Sequence, residues 1–166
     1  MFSARMGPAL LVALMTTGGF APGHSQAQSA PGHSQAPGAP GYEQVQILVD
    51  SAAAFLAENG PERAFLAFND SKGKWIKGDL YVFAFDQQGV FRASGFHPEQ
   101  TGSNAWDLTD AAGIKIVQEI IAKANRNGSG MVDYLWKSPV TGKLESKSSY
   151  VVKVGDFIIG SGFYHR

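Results

Sequence analysis

The chain contains no cysteine. That excludes a disulfide framework, a thiolate nucleophile and any cysteine-ligated metal. It also lacks an excess of charge: 14 Lys and Arg balance 14 Asp and Glu over 166 residues. With no basic run, the electrostatic drive toward nucleic acid or an anionic membrane surface is missing. We therefore expect no nucleic-acid partner. Catalytic signatures are absent as well. There is no Gly-x-Ser-x-Gly elbow, Walker A loop, His-Glu-x-x-His pair or EF-hand loop. The acidic residues are scattered, and Ser148 and Ser149 lie in a strand-like segment with no assigned base. The expectation is a chain that is not an enzyme and carries neither cofactor nor metal.

Long apolar runs are also missing. The longest near the N-terminus, Ala9 to Met15, falls well short of the roughly 20 residues that span a bilayer as a helix. It follows Arg5 and precedes small residues, and Ser25-Gln26-Ala27 offers a small-x-small cleavage pattern. This reads as a secretory signal over residues 1–27, with a buried N-terminal helix as the alternative. The next stretch repeats Pro-Gly-His-Ser-Gln-Ala at Pro22–Ala27 and Pro31–Ala36. Such a Pro-, Gly- and Ser-rich tract buries too little apolar area to offset chain entropy. We read residues 28–41 as a disordered linker, and His24 and His33 as polar spacers rather than metal ligands. The product is expected to be periplasmic or secreted.

What the chain does have is aromatic material for one core: 11 Phe, 5 Tyr and 3 Trp. From Tyr42 to Asn59, Val45, Leu48, Val49, Ala52, Phe55 and Leu56 follow helical spacing, and Asn59-Gly60-Pro61 stops the helix. A short helix is predicted from Glu62 to Phe68. "NDSKGKWIKGD" reads as loop. Leu80–Phe85 and Val90–Ser94 flank the turn Asp86–Gly89 as a hairpin. Phe96–Asp110 is irregular. Asp110 is read as the cap of a helix whose buried face is Ile114, Val117, Ile120, Ile121 and Ala124, ending at Asn127-Gly128. Three strands follow: Gly130–Trp136, Lys147–Val154 and Phe157–Tyr164. Short turns demand antiparallel pairing, so the class is α+β. The long first helix is expected on one sheet face. The irregular loop and the later helix are left to cover the other, with a small cavity beneath them.

Several short motifs recur in a particular order: Leu80-Tyr-Val-Phe83, His97-Pro98, Asp110-x-x-Gly113, Gly-x-Gly-x-Val-Asp-Tyr-x-Trp at Gly128–Trp136, Pro139, Lys-x-Ser-Tyr at Lys147–Tyr150, and Gly-x-Gly-x-Tyr at Gly160–Tyr164. Together they resemble the single Cache domain, a PAS-like extracellular sensor module of bacterial receptors. The resemblance implies one domain over residues 42–166, with a PAS-like antiparallel sheet behind a long N-terminal helix. It also implies a pocket for a small organic ligand, commonly a short carboxylate. Family members usually lie between membrane helices and signal to a kinase or methyl-accepting domain. No such helix or transmitter is expected after Arg166. The expectation is a free-standing exported version that acts through a separate membrane receptor or kinase partner, with a homodimer through the N-terminal helix as a further option. The family's first strand often carries a Tyr-Phe-Trp run. Here Tyr81-Val82-Phe83 stands in its place without the Trp.

A carboxylate needs a cation or several donors in an apolar concavity. Lys147 is the candidate cation, read as lying opposite Trp136 across the hairpin connection; the alternative is an exposed strand-end lysine. Tyr150, Tyr134 and Tyr81 offer phenolic donors, or serve as ordinary hydrogen-bonded core tyrosines. Lys147 and Tyr150 are three apart, so a regular strand turns only one of them into the pocket. Trp136 and Trp106 are candidate walls or simple core anchors. His97, extended by Pro98, is either a donor from the lid or a solvated loop residue. Gly160 and Gly162 leave room above the sheet, for a ligand or for packing. A sensory binder is the leading reading. The alternative is a structural or protein-interaction module of the same fold with its pocket filled.

Overall fold

Residues 41–165 are described by a computed structural model; the signal, His24 and His33 expectations, and the linker up to residue 40, lie outside these residues. The described residues fall in one unit of the chain. α1 spans Tyr42–Asn59 and α2 spans Pro61–Phe68. Gly60 separates them at φ 77°, a left-handed value that glycine adopts without strain. Its amide closes α1 on the Leu56 carbonyl, and Pro61 then starts α2, where a missing N–H is harmless.

A two-residue hairpin follows, β1 (Ile76–Lys77) with β2 (Leu80–Tyr81). Sequence reading had this first half as loop, and it ran β2 together with β3 (Phe83–Asp86). The break falls at Val82, whose amide bonds Trp75 and whose carbonyl accepts from Gly95. Tyr81 is thereby held on a two-stranded hairpin separate from the main sheet. β4 (Phe91–Ser94) returns along β3 after the Asp86–Gly89 turn. α3 covers Ile116–Asn127, and β5 (Ser129–Lys137), β6 (Leu144–Val154) and β7 (Phe157–Tyr164) form a meander. The five strands are ordered β4-β3-β7-β6-β5, antiparallel throughout. The β5–β6 connection is only residues 138–143, so both strands run further toward it than sequence patterning indicated.

One face of this sheet carries α1. Val45, Leu48, Val49 and Leu56 are buried there against Tyr150, Ile159 and Phe163. Each such burial contributes roughly 1.5–3 kcal/mol relative to exposure, so packing rather than intrinsic propensity fixes the helix. The other face carries α3 and the irregular segment. Ala105, Ile116, Val117 and Ile120 pack on Phe83, Phe85, Phe91 and Ile158. The α+β class and the long helix on one face are as the sequence indicated.

α3 does not begin where its candidate cap suggested. Its first residue is Ile116, preceded by Lys115 with no side-chain cap bond. Asp110 caps a turn instead, accepting from the amides of Ala112 at 2.9 Å and Ile114 at 2.8 Å. The Asp-x-x-Gly spacing serves a turn as readily as a helix start, because both need one carboxylate beside two free amides.

Candidate functional site

The α3-facing side of the sheet carries a row of three cross-strand partners. Tyr134 on β5 opposes Lys147 on β6, which opposes Tyr164 on β7. Lys147 thus sits opposite Tyr134; Trp136 opposes Glu145, because the connecting turn is tighter than the sequence implied. One row along, Ser149 opposes Gly162. Gly162 lets Lys147 lie flat on the sheet. A Cβ there would come within 2.8 Å of Lys147 Cε and would also collide with the Ser149 hydroxyl. At Gly160 the corresponding space holds the Phe83 ring. Both glycines therefore serve close packing of the protein's own side chains.

Lying along that groove, Lys147 is fully buried. Its Nζ donates to the Tyr81 hydroxyl oxygen at 3.1 Å. It also lies 4.2 Å from the Tyr81 ring centroid, 5.2 Å from Tyr164 and 5.5 Å from Phe83. Burial opposes the charged form. The phenol oxygens of Tyr134 and Tyr81, the hydrogen bond to Tyr81 and the Asp79 carboxylate outweigh it and hold the pKa above the ordinary lysine value. Burial pushes the Tyr134 and Tyr164 phenols up as well, so both stay protonated. The site at neutral pH is an ammonium among neutral phenols and aromatic faces. The Tyr81 hydroxyl thus accepts from Lys147 and is also hydrogen-bonded to Tyr164, which ties the ammonium and the two phenols into one network. Tyr134 shares a 2.8 Å hydrogen bond with Ser149.

In front of this cluster lies a narrow, mostly apolar cleft that the surrounding side chains nearly fill, leaving about 20 Å³, room for about one water molecule. Tyr81, Phe83, Phe85, Tyr134 and Trp136 form its floor and side. Leu108, Ile116, Val117 and Ile120 form the roof, with Ser94 and Gln100 adding polar atoms. The structure thus brings Lys147, Tyr81, Tyr134 and Trp136 to one place. Tyr150 lies on the opposite face, edge-on to Tyr42 of α1 at 6.2 Å, as strand parity requires of a regular β6. His97 is outside the cleft lining, partly exposed and paired with Glu99 at 3.0 Å. Trp106 is also outside it, 39% exposed and packed over Gly89. Phe85, Phe91, Ser94 and the α3 residues were missed as site residues. Alternation along β3 and the helical period of α3 mark inward-facing residues, but neither repeat distinguishes the lining of a cleft from solid core.

A five-stranded antiparallel sheet with a long helix on one face and an aromatic cleft under a helix and loop on the other defines a sensory, ligand-binding domain of the Cache type. The chain belongs to the single Cache domain 2 family, whose profile matches residues 65–166. It is 37% identical over 91 residues to the sensor histidine kinase MctS of Rhizobium johnstonii, a match covering 52% of this chain. The chain spans 19% of the length of that curated relative. Among solved structures it is similar to a Cache chemosensory domain studied for its carboxylic acid recognition, with TM-score 0.66 and 24% identity over 75% of this chain and 92% of that one. A methyl-accepting chemotaxis protein from Vibrio parahaemolyticus gives TM-score 0.65 at 19% identity, covering 74% of this chain and 86% of its own. Cache domains are signalling modules that bind ligands outside the cytoplasm. No helix of the described residues is long and apolar enough to cross a membrane.

Proposed function

We propose that this domain senses a short-chain organic carboxylate outside the cytoplasm and passes the signal to a membrane receptor or kinase partner. The observation that carries the reading is Lys147: a buried ammonium, bonded to a phenol that lines an apolar cleft. A carboxylate entering the cleft meets the Tyr81 and Tyr134 hydroxyls, with Lys147 supplying the charge behind them. The free space beside Trp136, Phe83 and Phe85 is about 20 Å³, so on this reading even a short acid enters only as the Leu108–Ile116 wall moves outward, and a long chain is excluded. Tyr150, His97 and Trp106 stay outside the proposed contact set. The likeness to a domain studied for carboxylic acid recognition and to a sensor kinase supports this reading.

Residues 1–27 are proposed as a signal segment and 28–41 as a linker. The domain itself is proposed to start at Tyr42, because α1 supplies a third of the buried residues of one core. The ligand reading is tested by melting the protein against acetate, propionate, lactate and pyruvate. A saturable rise with at least one acid is expected. A flat response across the panel, with concentration-dependent self-association or a co-purifying protein, would favour an interaction module.

A further inference from the structure

We propose that Asp110 is a positioning residue: its carboxylate clasps the 108–116 segment, one wall of the cleft, to the edge of the sheet. The inference rests on reading that cleft as the ligand site. One carboxylate oxygen of Asp110 closes its own turn through Ala112 and Ile114. The other accepts from the amide of Leu135 at 2.8 Å, 25 residues away on β5. β5 is an edge strand, paired with β6 on one side only. An outward-facing amide on such an edge needs a partner, and Asp110 supplies it.

The segment is rigid within itself. The Asp110 amide bonds the Ile114 carbonyl at 2.9 Å, the Ile116 amide bonds Leu108 at 3.0 Å, and Thr109 bridges Lys115. Its stem residues, Leu108 and Ile116, both line the cleft. α3 starts at Ile116 and contributes Val117 and Ile120 to the same wall. Holding the tip on β5 therefore sets the distance between this wall and the floor made by Tyr81 and Tyr134. The amides of Leu135, Ile114, Ala112 and Gly113 also outweigh partial burial and keep the Asp110 carboxyl below its ordinary range, so the clasp is charged at neutral pH.

Asp110→Asn tests this in the full chain. An amide has one acceptor oxygen, so whichever way it turns, either the turn or the Leu135 link loses its acceptor. Backbone amide exchange and propionate titration are measured together at pH 7. Exchange is expected to quicken about tenfold at Leu135 and across 105–116, with β3 and β7 unchanged, and the propionate Kd is expected to rise about tenfold. In the wild type the Leu135 amide resonance should shift in a single step as Asp110 protonates, below the ordinary carboxylate range; the variant should lack that step. Unchanged exchange at 105–116 with unchanged propionate affinity overturns the proposal. Should the wild type bind no acid of the panel, the ligand reading fails, while the exchange pattern still decides the clasp. Asp110→Ser, which keeps a turn acceptor too short to reach Leu135, serves if the first variant does not fold. If neither folds, Asp110 is a folding residue and the proposal is wrong.

Discussion

Replacing Lys147 separates its charge from its packing. The ammonium makes a 3.1 Å bond to a phenol and lies over three rings. A hydrogen bond from a charged donor contributes ~1.5–3 kcal/mol and a desolvated cation–π contact about 2 kcal/mol. Against this stands an effective desolvation penalty of several kcal/mol for a buried ammonium. The two sides nearly cancel. Lys147→Met keeps most of the stem that lies over Gly162 and removes the charge. The ligand-free protein should then melt at the same temperature or slightly higher. Lys147→Ala also empties the groove and should cost roughly 2–4 kcal/mol, in the range of other large-to-small core changes. Both variants should lose the carboxylate response. For the wild type at a hundredfold excess of propionate over its Kd, that response is ~2.7 kcal/mol, or roughly 10 °C for a domain of this size. Differential scanning fluorimetry with and without propionate measures all of these quantities. A Lys147→Met protein that keeps the full propionate shift refutes the anchor. One that loses as much stability as Lys147→Ala makes the ammonium a structural brace.

Gly162→Ala should destabilise the fold by about 1–3 kcal/mol, since the new methyl meets Lys147 and the backbone carbonyl of Ser148 at 2.6 Å. It should also blunt the propionate shift by displacing the ammonium; an unaltered melting curve would show that the groove is looser than described. The pKa of Lys147 is raised on folding, so its charged form contributes fully below the unfolded value of about 10.4 and is lost only as pH climbs past the folded one. Propionate affinity should therefore stay level from about pH 6 to 9, the acid being ionised throughout, and a decline centred near neutrality would contradict the assignment. Mass spectrometry of exported protein should find a mature start at Gln28, and an intact Met1 in the cytoplasm would refute the export reading.

Periodicity alone located α1, α3 and the three C-terminal strands, because burying one stripe or one face imposes a local repeat on the sequence. Residue chemistry and the family resemblance offered Lys147, Tyr134, Tyr81 and Trp136 as candidates together with Tyr150, His97 and Trp106, and could not separate the four that gather at the cleft from the three that do not. Pattern was less help where the chain departs from regular elements. The split between β2 and β3 and the small β1–β2 hairpin depend on bonds from Val82 to Trp75 and Gly95, which no local repeat records.

The same limit applied to the site. Strand parity already said that Lys147 and Tyr150 part company on a regular strand, yet it did not say which one faces the cleft. That was decided when α1 covered the Tyr150 face and α3 covered the other. Asp110 was legible as a capping residue, but not as a bond to Leu135, because 25 residues separate the two and only the folded sheet brings its edge to the turn. Composition and spacing are local properties of the chain and fixed its class and elements. The burial of one ammonium, and the cleft in front of it, arise from contacts between distant segments, and those exist only once the sheet has closed.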